Sequence, residues 1–227
     1  MLVNKLLSGA VKLWLKSQVS EVKDLKINIV GNNRQILTGE IPEVGICAND
    51  AVYQGLHLSK LKVKSTKIKF DLSQILNKKQ FELSEPIIID IAVFSLAKDL
   101  QNSLSSLLMN SGLTDIWYRF LAANSINIET NRHNYCWNYL SLFQDGIEFK
   151  GIEQQAKNNS LVGIKTHIKS LDRHSLLLTP IEINPSPEIS IKDIQPLTFD
   201  LGKQVFINQL EITPEHLFLQ GEITIYP

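Results

Sequence analysis

The sequence of 227 residues lacks most features that mark the common function classes. It carries 23 Lys and Arg against 23 Asp and Glu, so no overall field favours nucleic acid or an anionic membrane. Its two cysteines, Cys47 and Cys136, lie far apart, which excludes a disulfide framework and a cysteine-based structural zinc site. We therefore expect no nucleic-acid partner and two buried free thiols in a reducing compartment.

Catalytic sequence signatures are also missing. There is no nucleophile elbow, phosphate loop, dinucleotide-binding glycine triplet or His-Glu-x-x-His zinc pair. The histidines are scattered, and the nearest approach to a metal half-site is His133 with Cys136, which would need further ligands elsewhere. We predict a non-enzymatic protein with no catalytic residues, no metal and no cofactor.

No apolar run is long enough for a membrane-spanning helix. Residues 1–22 instead show the pattern of an amphipathic helix, with Lys5, Lys12 and Lys16 on one side and Trp14 on the other. The lysines also interrupt any signal-peptide core. Two interpretations stay open: the helix packs on the domain, or it contacts a membrane through these four residues. We expect a cytoplasmic protein, peripheral to a membrane under the second interpretation.

Residues 23–227 are predicted to form a single α+β domain. Alternating apolar positions indicate strands on both sides of a central helical region. Within residues 56–72 the apolar positions change phase twice, which predicts bulges that bend the sheet. The lysines of this stretch are expected on a solvated face. The clearest signal is a closing hairpin in residues 197–227, whose last strand alternates without a break after the turn at Thr213–His216.

The central region is predicted to hold a long helix. Leucines at 96, 100, 104, 107 and 108 form one stripe, Ser95 supplies an N-cap, and Gly112 ends the helix. Further along, Tyr135, Trp137 and Tyr139 alternate on one side of a predicted edge. Aromatic side chains can stack on nucleic-acid bases, but the neutral charge favours a packed or membrane-interfacial edge.

Three stretches carry a family resemblance. They are ANDAVYQGL at 48–56, FSLAKDLQNSL at 94–104, and FDLG at 199–202 together with GEITIYP at 221–227. In these stretches the chain resembles the LmeA-like family of bacterial phospholipid-binding proteins, formerly a domain of unknown function. The resemblance implies a fold similar to the tubular lipid-binding (TULIP-like) domains, in which a strongly curved antiparallel sheet wraps around a long helix and leaves a groove for acyl chains. The family has no catalytic residues to carry over.

This resemblance predicts non-enzymatic binding or shuttling of a phospholipid, or of another long-chain lipid, in a hydrophobic groove. Ordinary core packing is the alternative role for each groove candidate. The alternative function is a protein-interaction or assembly factor that uses an exposed sheet and the aromatic segment. The groove-lining candidates are Leu96, Leu100, Leu104 and Leu107 from the helix, and Ile68 and Phe70 from the bent strand.

Overall fold

A computed structural model describes residues 19–69, 84–126, 134–154, 159–184 and 194–227. These residues form two antiparallel sheets, three α-helices and one 3-10 turn. The strands are β1 Val19–Val30, β2 Glu40–Tyr53, β3 Leu56–Lys69, β4 Ile87–Leu96, β5 Asn134–Phe143, β6 Gly146–Gln154, β7 Asn159–Ser170, β8 Ser175–Asn184, β9 Leu197–Asp200, β10 Val205–Ile212 and β11 His216–Ile225. The helices are α1 Asn33–Leu37, α2 Ala97–Asn102 and α3 Leu107–Ala123, and the 3-10 turn is Ser103–Ser105.

The predicted fold, one strongly curved sheet around a long helix in a TULIP-like arrangement, is wrong. The described strands divide between a large sheet of order β1-β2-β3-β4-β11-β10 and a small sheet of order β5-β6-β7-β8-β9, and neither sheet closes on itself. The longest described helix, α3, has 17 residues. It packs against the small sheet and is not enclosed by the large one.

The predicted leucine-striped helix is interrupted at its serines. Leu96 ends β4, α2 lasts six residues, and the chain then tightens into the 3-10 turn. Ser103 Oγ donates to the Asp99 carbonyl at 2.7 Å. Ser106 is extended, with φ −76° and ψ 144°, and its hydroxyl caps α3 by accepting from the Met109 N–H at 3.0 Å. Because serine hydroxyls compete for backbone hydrogen bonds, they favour caps and turns over helix interiors.

Two predicted boundaries also move. Gly112, predicted as a helix end, lies inside α3, where an added Cβ would meet no atom within 4 Å. A glycine on this open side lowers the stability of the helix but does not end it. β1 begins at Val19, inside the range 1–22 predicted as helix. The rest of that range, residues 1–18, lies outside the described residues, and the single domain 23–227 stays a prediction.

The main core lies between α3 and the small sheet. Trp117, Phe120 and Phe149 have no exposed surface, and Leu104 from the 3-10 turn packs with them. Ile212 of β10 belongs to the same core. The two sheets therefore share one hydrophobic core where β10 meets the small sheet.

The closing hairpin is confirmed as β10 and β11, whereas the start of the predicted stretch, Leu197–Asp200, is a separate strand, β9, of the small sheet. β11 is an interior strand, because it pairs with β4 over ten positions, from His216 opposite Leu96 to Ile225 opposite Ile87. Its Gly221 is required by a close approach of β10: an added Cβ would lie 2.2 Å from the Phe206 carbonyl oxygen. The last strand of the chain thus ties the edge strand β10 to the middle of the large sheet.

Candidate functional site

The two sides of the large sheet differ in chemistry. Directly paired residues of antiparallel strands point to the same side, so the strand register defines complete rows across all six strands. One side, which we call the apolar face, has three consecutive rows containing only aliphatic residues, one serine and one glycine. From β1 to β10 the rows are Leu25, Ala48, Leu61, Val93, Leu219 and Leu210; Ile27, Ile46, Val63, Ile91, Gly221 and Ile207; and Ile29, Val44, Ser65, Ile89, Ile223 and Val205.

The serine does not make this side polar. Ser65 is buried, and its hydroxyl donates to the Ile88 carbonyl at 3.1 Å. Because a buried hydroxyl is tolerated when it is hydrogen-bonded, the bond to the backbone leaves the surrounding row apolar. All three rows therefore present hydrocarbon.

The opposite side of the large sheet is polar. Lys60, Lys62 and Lys64 are exposed there, as expected from the sequence, and Lys64 pairs with Glu43 at 2.9 Å. A depression of about 260 Å³ over the sheet centre has Lys62, Lys64 and Asp90 among its lining residues. This volume is smaller than the roughly 300 Å³ at which ligand pockets usually begin. This depression is therefore smaller than a lipid-sized cavity.

The apolar face is only partly covered. Ile46, Val63 and Ile91, at its centre, are half-buried. Within the described residues, neither the main core nor the side chains packed around it include any apolar-face residue of β2, β3 or β4. A contiguous apolar surface of this kind marks an interaction site in a soluble protein.

The dimensions of the apolar face suit an extended hydrocarbon chain. Six strands spaced by about 4.8 Å make each row about 24 Å long, and the outer rows lie about 13 Å apart along the strands. One leaflet contributes about 15 Å, half of the roughly 30 Å hydrocarbon thickness of a bilayer. The face borders the main core at Leu217 and Ile212. At its far end, Ile29 of the face forms a satellite cluster with Ile41.

A comparison with protein families decides the relationship. The sequence model described as LmeA-like phospholipid-binding matches residues 2–222, nearly the whole chain. The chain belongs to the LmeA-like phospholipid-binding family. The resemblance predicted from the sequence is thus confirmed. No curated protein and no solved structure matches.

None of the helices in the described ranges is long and apolar enough to cross a membrane. Among the same residues, no group of three or more His, Cys, Asp or Glu side chains could hold a metal ion.

The groove candidates of this LmeA-like protein that the structure describes lie at several places in the fold. Leu100 packs on the main core, Leu104 is 5% exposed within it, and Leu107 is 85% exposed at the start of α3. Leu96 is half-buried at the end of β4. Ile68 packs on the satellite cluster at the far end of the apolar face. Phe70 and the membrane candidates Trp14, Lys5, Lys12 and Lys16 lie outside the described residues.

Sequence reasoning missed the centre of the apolar face. Ile46, Val63 and Ile91 come from three strands, and a signal for each was present in the local alternation of its strand. What alternation does not supply is the register, which places Ile46 opposite Val63 and Val63 opposite Ile91. Pairing between distant segments is needed to assemble the surface.

The aromatic segment of β5 differs from its prediction. Tyr135 and Trp137 are 9% and 2% exposed in the main core, while Tyr139 is 41% exposed. The register shifts between Trp137 and Tyr139, and a bulge of this kind reverses the side on which later residues lie. Both cysteines are also exposed, so the expected buried thiols are wrong. Because Tyr135 and Trp137 are buried, only Tyr139 of the three aromatic residues could serve the alternative function of a protein-interaction or assembly factor.

Proposed function

We propose that this LmeA-like protein binds a phospholipid, or another long-chain lipid, without catalysing a reaction, and that the acyl chains lie on the apolar face of the large sheet. The observation that carries the proposal is the partly covered set of three apolar rows, whose central residues Ile46, Val63 and Ile91 are half-buried. Hydrophobic burial is proportional to area and needs no specific polar contact, so an aliphatic surface of this shape can select a lipid by shape alone.

The expected energy suits reversible binding. Each buried methylene contributes about 0.8 kcal/mol, so roughly ten to fourteen methylenes supply about 8–11 kcal/mol before the cost of association. That cost is at least about 4 kcal/mol. One acyl chain would therefore bind weakly and a two-chain phospholipid more tightly, which suits a protein that binds or shuttles lipid.

A titration with a fluorescent fatty acid tests the site. The double variant Ile46→Thr with Val63→Thr places two hydroxyls at the centre of the apolar face while retaining branched side chains suited to strands. Each unpaired hydroxyl costs a contacting acyl chain about 1–2 kcal/mol, so we expect the dissociation constant to rise at least tenfold. Lys62→Thr is the matched control, because Lys62 precedes Val63 in β3 and lies on the polar side of the sheet. This variant should bind the fatty acid as the wild type does.

Three outcomes have distinct meanings. Loss of binding in the double variant alone supports the apolar face as the site. Equal binding by all three proteins would move the lipid site elsewhere. No binding by the wild type would refute the proposed function.

A further inference from the structure

Four exposed apolar or aromatic side chains lie outside the apolar face, near the start of α3. Leu107 and Leu108 open the helix with 85% and 45% of their surface exposed. Tyr53, at the end of β2, is 39% exposed, and Tyr139 of β5 is 41% exposed. We call these four residues the leucine tip.

Contacts around the 3-10 turn bring the tip together. On one side, the β2–β3 hairpin reaches this turn: the His57 N–H donates to Ser103 Oγ at 2.8 Å, and a Cβ added to Gly55 would lie 2.7 Å from Ser106 Cβ. Leu107 follows Ser106 directly. Tyr53 is therefore carried to the start of α3 by its own hairpin.

On the other side, α2 holds β5. The Gln101 amide donates to the Asn138 carbonyl at 3.0 Å and accepts from the Leu140 N–H at 2.7 Å. These two residues flank Tyr139 in the chain. Hydrogen bonds and close packing around the 3-10 turn thus hold together the elements that carry the four residues of the tip.

We propose that the leucine tip docks on the surface of a lipid bilayer, an inference that rests on the proposed lipid-binding function and names where the protein meets its lipid source. Two exposed leucines and two exposed tyrosines match the interfacial zone, where tyrosine rings are buried and their hydroxyls stay hydrated. Lys98 is exposed on α2, and Lys150 Nζ lies 5.1 Å from the Tyr139 ring centroid while pairing with Glu148. These lysines offer contacts to lipid phosphates.

The size of the tip favours a bilayer over a protein partner. Four partly exposed side chains present on the order of 400 Å², given that a whole aromatic side chain buries about 150–250 Å². A stable protein interface buries about 800 Å² per partner. Reversible docking on a bilayer needs no such area, because a few inserted apolar side chains already give measurable binding.

Sedimentation with vesicles of phosphatidylethanolamine and phosphatidylglycerol tests the docking. The variant Leu107→Ser with Leu108→Ser should lower the vesicle partition coefficient at least about tenfold, since full burial of one leucine alone is equivalent to that factor or more. Leu161→Ser with Leu171→Ser is the matched control, because those leucines are 64% and 59% exposed elsewhere. The control should partition as the wild type does, and both variants should keep the wild-type melting temperature.

Two further measurements distinguish docking by the tip from lipid binding on the apolar face and from docking by the N-terminal segment. Without vesicles, the tip variant should still bind the fluorescent fatty acid, so a failure of docking and a failure of the proposed function are distinguishable. Tip-variant partitioning equal to that of the wild type overturns the proposal, as does a wild type that does not bind vesicles. Replacement of Lys5, Lys12 and Lys16 by Gln should leave the vesicle partition coefficient within a few-fold of the wild-type value. Complete loss of vesicle binding in this triple variant would overturn the proposal in favour of the N-terminal segment.

Discussion

Two Gly→Ala substitutions should have opposite effects on stability. At Gly221 the new Cβ would lie 2.2 Å from the Phe206 carbonyl oxygen and 3.4 Å from Ile207 Cα. Relief of the first contact requires β10 to move away from β11 by close to 1 Å, and overpacking of this kind costs about 1–3 kcal/mol. At Gly112 the new Cβ meets no atom within 4 Å, and alanine in a helix interior gains about 1 kcal/mol over glycine.

Thermal unfolding of the two variants measures the difference. Both substitutions restrict the unfolded chain in the same way, so their difference reports the folded environments. For a chain of this size, 1 kcal/mol shifts the melting temperature by about 2–4 °C. Gly221→Ala should lower it by about 2–12 °C, and Gly112→Ala should raise it by about 2–4 °C. A rise in both would show that β10 does not approach β11 as closely as described.

Two further predictions concern the main core and its edge. Gln101→Ala removes the bonds to the Asn138 carbonyl and the Leu140 N–H and should lower the free energy of unfolding by about 1–2 kcal/mol. The control Gln54→Ala removes an exposed hydrogen bond and should lower it by less than about 0.5 kcal/mol. Equal shifts in melting temperature would contradict the role of Gln101. Burial first, and then the hydrogen bond and charge of Glu153, raise the pKa of Tyr135 above its ordinary 10.0. Because the folded state favours the neutral phenol, this stability is complete below about pH 10 and is lost as the pH rises toward the folded pKa. Tyr135→Phe should flatten the alkaline fall in the urea midpoint, with Tyr226→Phe as the exposed control, and an unchanged profile would refute this.

Local patterns predicted the pieces of the fold that depend on neighbours in sequence. The closing hairpin follows from strict alternation in residues 217–225 and a proline-containing turn, and both are local. The serines at 103, 105 and 106 favour caps and turns, whereas the leucine stripe around them favours one continuous helix. The sequence alone does not show that the caps and turns prevail. Gly112 was misassigned because its role depends on whether its side of the helix is covered.

The features that the sequence did not predict depend on pairing between segments that are distant in sequence. The place of β11 beside β4 joins segments more than 100 residues apart in sequence, and this pairing assembles half of the apolar face. The bulge after Trp137 is stabilised by Gln101 from another element, so the reversal of Tyr139 leaves no trace in the alternation of β5. For this reason the family was predicted correctly while the architecture was not, and the groove-lining residues stay predictions.

Mass spectrometry of lipids extracted from the purified, folded protein tests the central claim most directly. The account predicts a long-chain lipid, foremost a phospholipid, enriched on the wild type and on Lys62→Thr, and strongly reduced on the Ile46→Thr, Val63→Thr variant. Lipid retained equally by all three proteins would contradict binding on the apolar face. No enriched lipid on the wild type, together with no uptake of the fluorescent fatty acid, would contradict lipid binding itself.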